Sequence, residues 1–400
     1  MTAAVQQISD PRLENFRPLA SGADAALAGL RLPTRHDESW RYLKVNDLFG
    51  QSWALARPVV DAARIENRPG LMIINGRLWA GLNELPQGVV RLAAVPAPAA
   101  VLGDHGPAAL NAALAPEPLA LQVASGRPVT LKMSYLTIPG HEQELSPSRV
   151  VLQVADGADL TLHLDSLGGD AALTWMDTVI DLRLGGGARV RILASVRDAG
   201  RHTQVVAATL AQDAELSLTD VVFGGRLTRR ETQVALTGSG AVATLHAAYL
   251  GADADHIDLF TQVQHLSPGC HSVQVLRGVL DGKATASFQG RIVVAPHAQK
   301  TDAHQSSRSL LLSRAATANA KPELEIHADD VKCSHGATVG ELDPASLFYL
   351  MSRGIPEHQA RAMLVDAFIG EVLDAIADTE AAQRLREDVA AWMAGREQQP

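Results

Sequence analysis

DGADLTLHL (Asp156–Leu164) opens on a Gly-Ala corner and then alternates, with Leu160, Leu162 and Leu164 on one side and Thr161 and His163 on the other. Alternation of period two marks a β-strand with one buried face. The same figure returns in GGARVRILA (Gly186–Ala194), QDAELSLTD (Gln212–Asp220), GSGAVATLHA (Gly238–Ala247) and DGKATASFQG (Asp281–Gly290). The shared alanines stand at 158, 188, 214, 241 and 284, so three steps of 30, 26 and 27 residues precede one of 43, room for an unaligned copy or an insertion. No long helical pattern interrupts between about Leu119 and Ile326, which excludes βαβ units. An antiparallel sandwich and a β-solenoid remain. The regular period, short strands and tight Gly/Asp corners favour the solenoid, where each coil buries its inner face on its neighbours.

Outward from this body the pattern turns helical. Asp10–Leu30 carries Leu13, Phe16, Leu19, Ala23, Ala26, Leu27 and Leu30 at helical spacing behind an Asp-Pro start. A second short helix is expected over Arg35–Leu48, bearing Trp40, Tyr42 and Leu48. Leu71–Ile74 followed by Asn75-Gly76 is a hairpin signal, Val95–Pro98 an exposed connection, and Ala108–Leu114 a turn or two of helix. At the other end, Asp343-Pro344 starts a helix that Gly354 closes. Pro356–Ala377 follows, with Ala360, Met363, Leu364, Ala367, Phe368, Val372 and Ile376 on one side, and then Thr379–Ala394. This helical end either caps the solenoid or offers a docking surface. The expected division is an N-terminal helical and mixed cap (1–118), a β-helix core (119–340) and a C-terminal helical domain (341–400).

Composition narrows the function classes. Of 400 residues 46% are hydrophobic but only 4% aromatic, so small and aliphatic side chains do the packing. A net charge of −9 with no basic run argues against nucleic acid as the main partner. Two cysteines, Cys270 and Cys333, form no disulfide framework and suit a reducing compartment. The N-terminus MTAAVQQISDPRLENF lacks a basic segment followed by an apolar one, and no apolar run nears the ~18 residues of a membrane span. A cytoplasmic protein with no membrane partner is the expectation.

Chemical motifs are few. Gly278–Ala284 approaches a phosphate-binding loop but is one residue short and ends on Ala where a hydroxyl belongs. Gly238-Ser-Gly240-Ala-Val-Ala243 leads into a strand rather than a helix, which defeats a dinucleotide reading. Asp329 and Asp330, as a carbohydrate-cleaving pair, would point to opposite faces of a strand. Asp255, His256, Asp258, His265 and His271 are a candidate metal group, since imidazole and carboxylate suit zinc or iron; the alternative is that polar residues simply collect on a solenoid exterior. In Cys333-Ser-His335 the thiol and imidazole are two residues apart, so on a strand they share a face. Four thiolates usually hold an iron–sulfur cluster. The plain alternative is a thiol that serves as a small core hydrophobe beside a hydrogen-bonded edge imidazole; if the chain touches a cluster, it gives only a partial ligand set at an interface, the remainder coming from elsewhere.

ELEIHADDVKCSHGATVGELDPASLFYLMSRGI (Glu323–Ile355) resembles the C-terminal signature of the SufB/SufD family, the paired scaffold proteins of SUF iron–sulfur cluster assembly, and the SufD branch in particular. The likeness extends through Arg277-Gly-Val-Leu280, Phe288-Gln-Gly290 and AQKTDAHQSSRSLLLS (Ala298–Ser313), with a fainter mark at LPTRHDESWRY (Leu32–Tyr42). It implies a right-handed parallel β-helix and a non-catalytic role. It further implies pairing with a SufB-like scaffold and docking of a SufC-like ABC ATPase on Pro344–Ala377, with Phe348, Tyr349, Arg353 and Phe368 as the contact residues. His335 is the residue matching the histidine at the nascent cluster, and Cys333 is its neighbour. The cluster would be transient and shared, a reduced flavin has a place within such a complex, and the isolated chain would pair with itself through its open edge. The rival within the family is a SufB-type scaffold carrying the cluster itself. The form of the Cys333 motif and the lack of a cysteine-rich N-terminal motif speak for SufD.

Overall fold

The computed structural model describes residues 10–19, 27, 29–59, 68–79 and 85–396. Four short strands come first: β1 (Ala54–Leu55), β2 (Leu71–Ile74), β3 (Arg77–Leu78) and β4 (Val89–Arg91). The body then runs through β5 (Leu119–Val123), β6 (Val129–Thr137), β7 (Glu144–Val154), β8 (Asp159–Gly168) and β9 (Thr174–Leu184). It continues with β10 (Arg189–Asp198), β11 (Arg201–Leu210), β12 (Glu215–Phe223), β13 (Leu227–Leu236) and β14 (Val242–Gly251). The last strands are β15 (His256–His265), β16 (His271–Leu280), β17 (Thr285–Val294), β18 (Asp302–Leu311), β19 (Thr317–Ile326) and β20 (Lys332–Gly340). From β5 on, odd strands stack in one parallel sheet and even strands in the other, each coil giving one strand to each. The result is the expected β-solenoid, of about seven turns.

The repeat is legible in the register. Asp159, Arg189, Glu215, Val242 and His271 stack as one column of the even sheet. Ala158, Ala188, Ala214 and Ala241, each one residue earlier, are buried at the corner, and so is Cys270. The 43-residue step is thereby resolved. The unaligned copy is Cys270-His271-Ser272, hidden because a thiol replaces the methyl of alanine, while DGKATASFQG belongs to the odd sheet as β17. The corner needs a left-handed residue just before the small one. Gly157, Gly187, Gly240 and Gly269 supply it, as does Asp213 at φ 54°.

Asp198 closes a corner on the opposite flank. One carboxylate oxygen accepts from Gly200 N at 2.7 Å, while the other is buried without a protein partner among the described residues. Burial pushes its pKa up to about 7. The folded state thus prefers the protonated acid. Its contribution is complete below about pH 4, is lost as pH rises towards about 7, and is constant above. Asp198→Asn is expected to gain on the parent across that window, by at most about 1.4 kcal/mol per pH unit crossed. Denaturant midpoints of both proteins at either end of the window test this; parallel curves would refute it.

Neighbouring segments cover the outer faces. Leu13, Phe16, Trp40, Leu48, Phe49 and Trp53 pack on Leu145, Trp175 and Leu227 of the odd sheet. The N-terminal part departs from the expected helices. Pro11–Asn15 and Arg17–Leu19 are separate 3-10 turns, the rest of the Asp10–Leu30 stripe lying largely outside the described residues. Pro18 has no N–H to continue an α-helical ladder. Arg35–Leu48 likewise resolves into a 3-10 turn at Glu38–Trp40 and a single turn, α1 (Asn46–Phe49). Its buried residues Trp40, Leu43, Val45, Leu48 and Phe49 fit no single helical stripe. The Asn75-Gly76 hairpin forms, with φ of 50° and 77°, and α2 (Gly106–Leu114) follows behind a His105 cap.

Three helices end the chain: α3 (Pro344–Ser352), α4 (Glu357–Leu373) and α5 (Thr379–Arg396). They do not cap the end of the solenoid. They lie along its side, Val365, Ile369, Val372, Leu385 and Val389 packing on Val221, Ala248, Leu250 and Val279 of the even sheet's outer face. The buried stripe of α4 is rotated from the expected one and leaves Met363 50% exposed, because the helix meets a sheet and another helix at once. Arg277 fixes it in place, donating to Glu371 Oε2 at 2.9 and 2.7 Å. The next residue, Gly278, makes room for the Tyr249 ring: a Cβ there would stand 2.0 Å from Tyr249 Cε2. Tyr249 cannot yield freely, because its hydroxyl is bonded to Ser309 Oγ at 2.8 Å. Gly278→Ala is expected to cost about 1–3 kcal/mol by overpacking, and Tyr249→Leu in the same chain should restore part of it. A melting temperature unmoved by Gly278→Ala would contradict this packing.

Candidate functional site

Among the described residues the solenoid stops at β19 and β20, and no later element covers them. Ala303 and Gln305 of β18 are buried and face inward; their register partners on β20 are Cys333 and His335. Thiol and imidazole therefore do share a face, the inner face of the last coil, left open at the end. Cys333 is half-buried against Ile292, Val294, Ala298 and Ala303. Burial, reinforced by the Asp302 carboxylate, raises its thiol pKa. His335 is exposed. On the outer face of the same edge, His304 bridges Asp302 Oδ1 at 2.8 Å and Ser334 Oγ at 2.7 Å.

The other candidate metal group is not assembled. His256 faces outward beneath the N-terminal segment, and burial lowers its pKa. His265 points inward and bonds Ser272 Oγ at 2.9 Å, its pKa pushed down to about 4, first by burial and then by His271. His271 lies exposed on the other sheet. Asp258 is spent on Arg229 and Ser287, while Asp329 and Asp330 are exposed on the loop before β20. Among the described residues no three His, Cys, Asp or Glu side chains converge as a metal site. Cys270 is fully buried, donating to Gly238 O at 3.3 Å, and does not join Cys333.

The docking candidates separate. Phe348 and Tyr349 are 74% and 57% exposed on α3, and Arg353 stacks its guanidinium 5.2 Å from the Tyr349 ring centre. Phe368 is instead partly buried among the helices. Met351 on α3 and Met363 on α4 are also exposed; the sequence pattern places Met363 on the apolar side of its helix and does not single out Met351. The helical spacing of Met363 reads as core, and only the packing of α4 turns it outward.

This geometry defines a class: a two-sheet β-solenoid, helix-covered on its sides and bare at one end, where a thiol and an imidazole face inward with too few companions to enclose a metal. Residues 137–368 match the model of the SUF system FeS cluster assembly SufBD core domain. The chain belongs to that SufBD family and is SufD-like. It is 38% identical over 169 residues to the iron–sulfur cluster assembly protein SufD of Escherichia coli, covering 42% of this chain and 40% of that one. A SufBD family protein of Synechocystis is 36% identical over 213 residues, 53% and 47% of the two chains. SufD of Bacillus subtilis is 33% identical over 144 residues, 36% and 33% of the two. The matches thus span less than half the length of each of these relatives.

Proposed function

We propose that this chain is a non-catalytic SufD-type subunit of a SUF assembly complex. It pairs through its bare solenoid end with a SufB-like scaffold, docks a SufC-like ABC ATPase on α3, and lends His335, with Cys333 beside it, as a partial ligand to the nascent cluster. The observation that carries this is the uncapped last coil, whose inward face holds the chain's one accessible thiol–imidazole pair. Edge β20 has no proline, whereas β19 carries Pro322 in mid-strand, so β20 is the better template for an incoming strand. Without a partner, a second copy would occupy the same edge. The exposed Phe348, Tyr349 and Met351 of α3 support docking of another protein there. No helix among the described residues is long and apolar enough to cross a membrane, which accords with a cytoplasmic site of action. The cluster is cargo, and a reduced flavin, where used, would be bound by the assembled complex rather than by this chain.

Co-expression with a SufB-like scaffold and a SufC-like ATPase tests the proposal. A stable complex is expected, with iron and sulfide far above the level of the chain alone. A monomer that ignores both partners, or a complete cluster on the isolated chain, would overturn it.

A further inference from the structure

The interior of the solenoid is not uniformly apolar. Its two larger hydrophobic bodies lie one around Leu162, Leu218, Leu245 and Val263 and the other around Val222, Tyr249, Leu259 and Phe288, with a smaller one at the open end around Ile292, Val294 and Ala303. Between them runs a line of inward-facing polar side chains. Register aligns Ser148, Thr178, Gln204 and Arg230 as one column of the odd sheet, and Thr232 with Thr261 as a second. Gln274, Gln305 and His335 form a third, on the even sheet.

Hydrogen bonds tie these residues into two runs. In the first, Arg230 donates to Asp220 through Nε at 2.7 Å and Nη2 at 2.9 Å, and to Gln204 through Nη1. In the second, Gln274 Oε1 accepts from Thr261 Oγ1 at 2.6 Å and from Gln305 Nε2 at 3.2 Å. Between the runs lies a cavity of about 20 Å³ whose polar lining includes Asp220, Arg230 and Thr232 from one side and Thr261 from the other, the rest of its wall being chiefly leucine. A water molecule needs about 10–15 Å³ and two to four polar partners, and both conditions are met. Gln204 Nε2, Gln274 Nε2 and Gln305 Oε1 are buried without partners among the described protein atoms, so the line is incomplete as protein alone. Its room is held open by backbone: a Cβ on Gly290 would stand 2.0 Å from Gln305 Nε2.

We propose that the solenoid interior binds water, with one molecule in this cavity bridging Arg230 and Asp220 to Thr261. That molecule joins the two runs into a hydrogen-bonded track that emerges beneath His335 at the bare end. Hydration itself is independent of the function proposed above; only the meaning of the exit rests on it. There, once a partner covers β20, the track remains as a solvent path to the inward face of His335.

A high-resolution crystal structure of the full chain is expected to show a water within hydrogen-bonding reach of Arg230 and Thr261. A dry cavity would overturn the proposal, whether or not the chain assembles clusters. In solution, water-oxygen-17 relaxation dispersion should record the loss of one long-lived water in a Thr232→Val, Thr261→Val double variant with unchanged circular dichroism. An unchanged water count in that folded variant counts against the site; should the variant not fold, the crystal density decides. Gln305→Leu tests the route: the cavity water should remain while its residence time lengthens several-fold. An unaltered residence time would refute the exit towards His335.

Discussion

Arg229→Met is expected to be the most destabilising single change in this protein, costing about 3–5 kcal/mol, because removing one partner of a buried ion cluster strands the others. Arg229 is 2% exposed. Its guanidinium holds Glu231 Oε2 at 2.8 Å and pairs with Asp258, and Trp40 lies over it at 3.9 Å. Glu231 Oε1 also lies 2.9 Å from His105 Nε2. Burial opposes charge on Glu231, yet His105 and Arg229 outweigh it and hold its pKa below the usual carboxylate range. With methionine at 229, two carboxylates would lose their shared cation under a cover of tryptophan and phenylalanine.

Two further consequences separate this account from a simple loss of packing. The defect of the variant should shrink in acid, where the stranded carboxylates take up protons, and be largest near neutral pH. Replacing all three charges together, as Arg229→Met, Glu231→Gln and Asp258→Asn, should recover much of the loss. Urea denaturation across pH decides, with Trp40 fluorescence reporting release of the N-terminal segment. A loss independent of pH would leave the ion cluster without the role given it.

On the proposed function, His335→Ala should leave the fold untouched and remove most of the cluster. The side chain is exposed on an edge strand, so a stability change within about 0.5 kcal/mol is expected. Loss of a ligand should lower iron retained by the assembled complex on the order of ten- to a hundredfold, at least the effect of disturbing a ligand's supporting shell. Cys333→Ser should act less severely, since its thiol is half-buried and its pKa is raised by burial, which disfavours the thiolate that binds metal. Iron and sulfide assays of the purified complex, with partner stoichiometry as the control, settle both. Full iron content in the His335→Ala complex would remove His335 from the ligand set.

The motifs that suggested the family acquire physical roles. In LPTRHDESWRY, Asp37 accepts from Thr34 N at 2.7 Å and Thr34 Oγ1 at 2.9 Å to set the turn. Glu38 pairs with Lys321 of β19, and Trp40 covers Arg229. In Arg277-Gly278-Val279, the arginine clamps α4, the glycine admits Tyr249 and the valine meets the helices. The longest of these couplings join segments about 90 to 280 residues apart in the chain (Arg277 to Glu371, Glu38 to Lys321).

Much was legible from local pattern alone. Period-two alternation and left-handed corners are properties of a few adjacent residues, so the strand repeat, the solenoid and the shared face of Cys333 and His335 could be read without coordinates. The count of two cysteines likewise bounded what the chain can hold. What needed the tertiary structure were relations between distant residues. These include the sheet to which DGKATASFQG belongs, the equivalence of Cys270 with four alanines, the side rather than the end as the seat of the helices, and the dispersal of His256, His265 and His271. Alternation says that a side chain points in or out, but which coil lies above it is set by loop lengths summed over the whole chain. That sum alone brings Arg229 under Trp40 and leaves His335 at an uncovered edge.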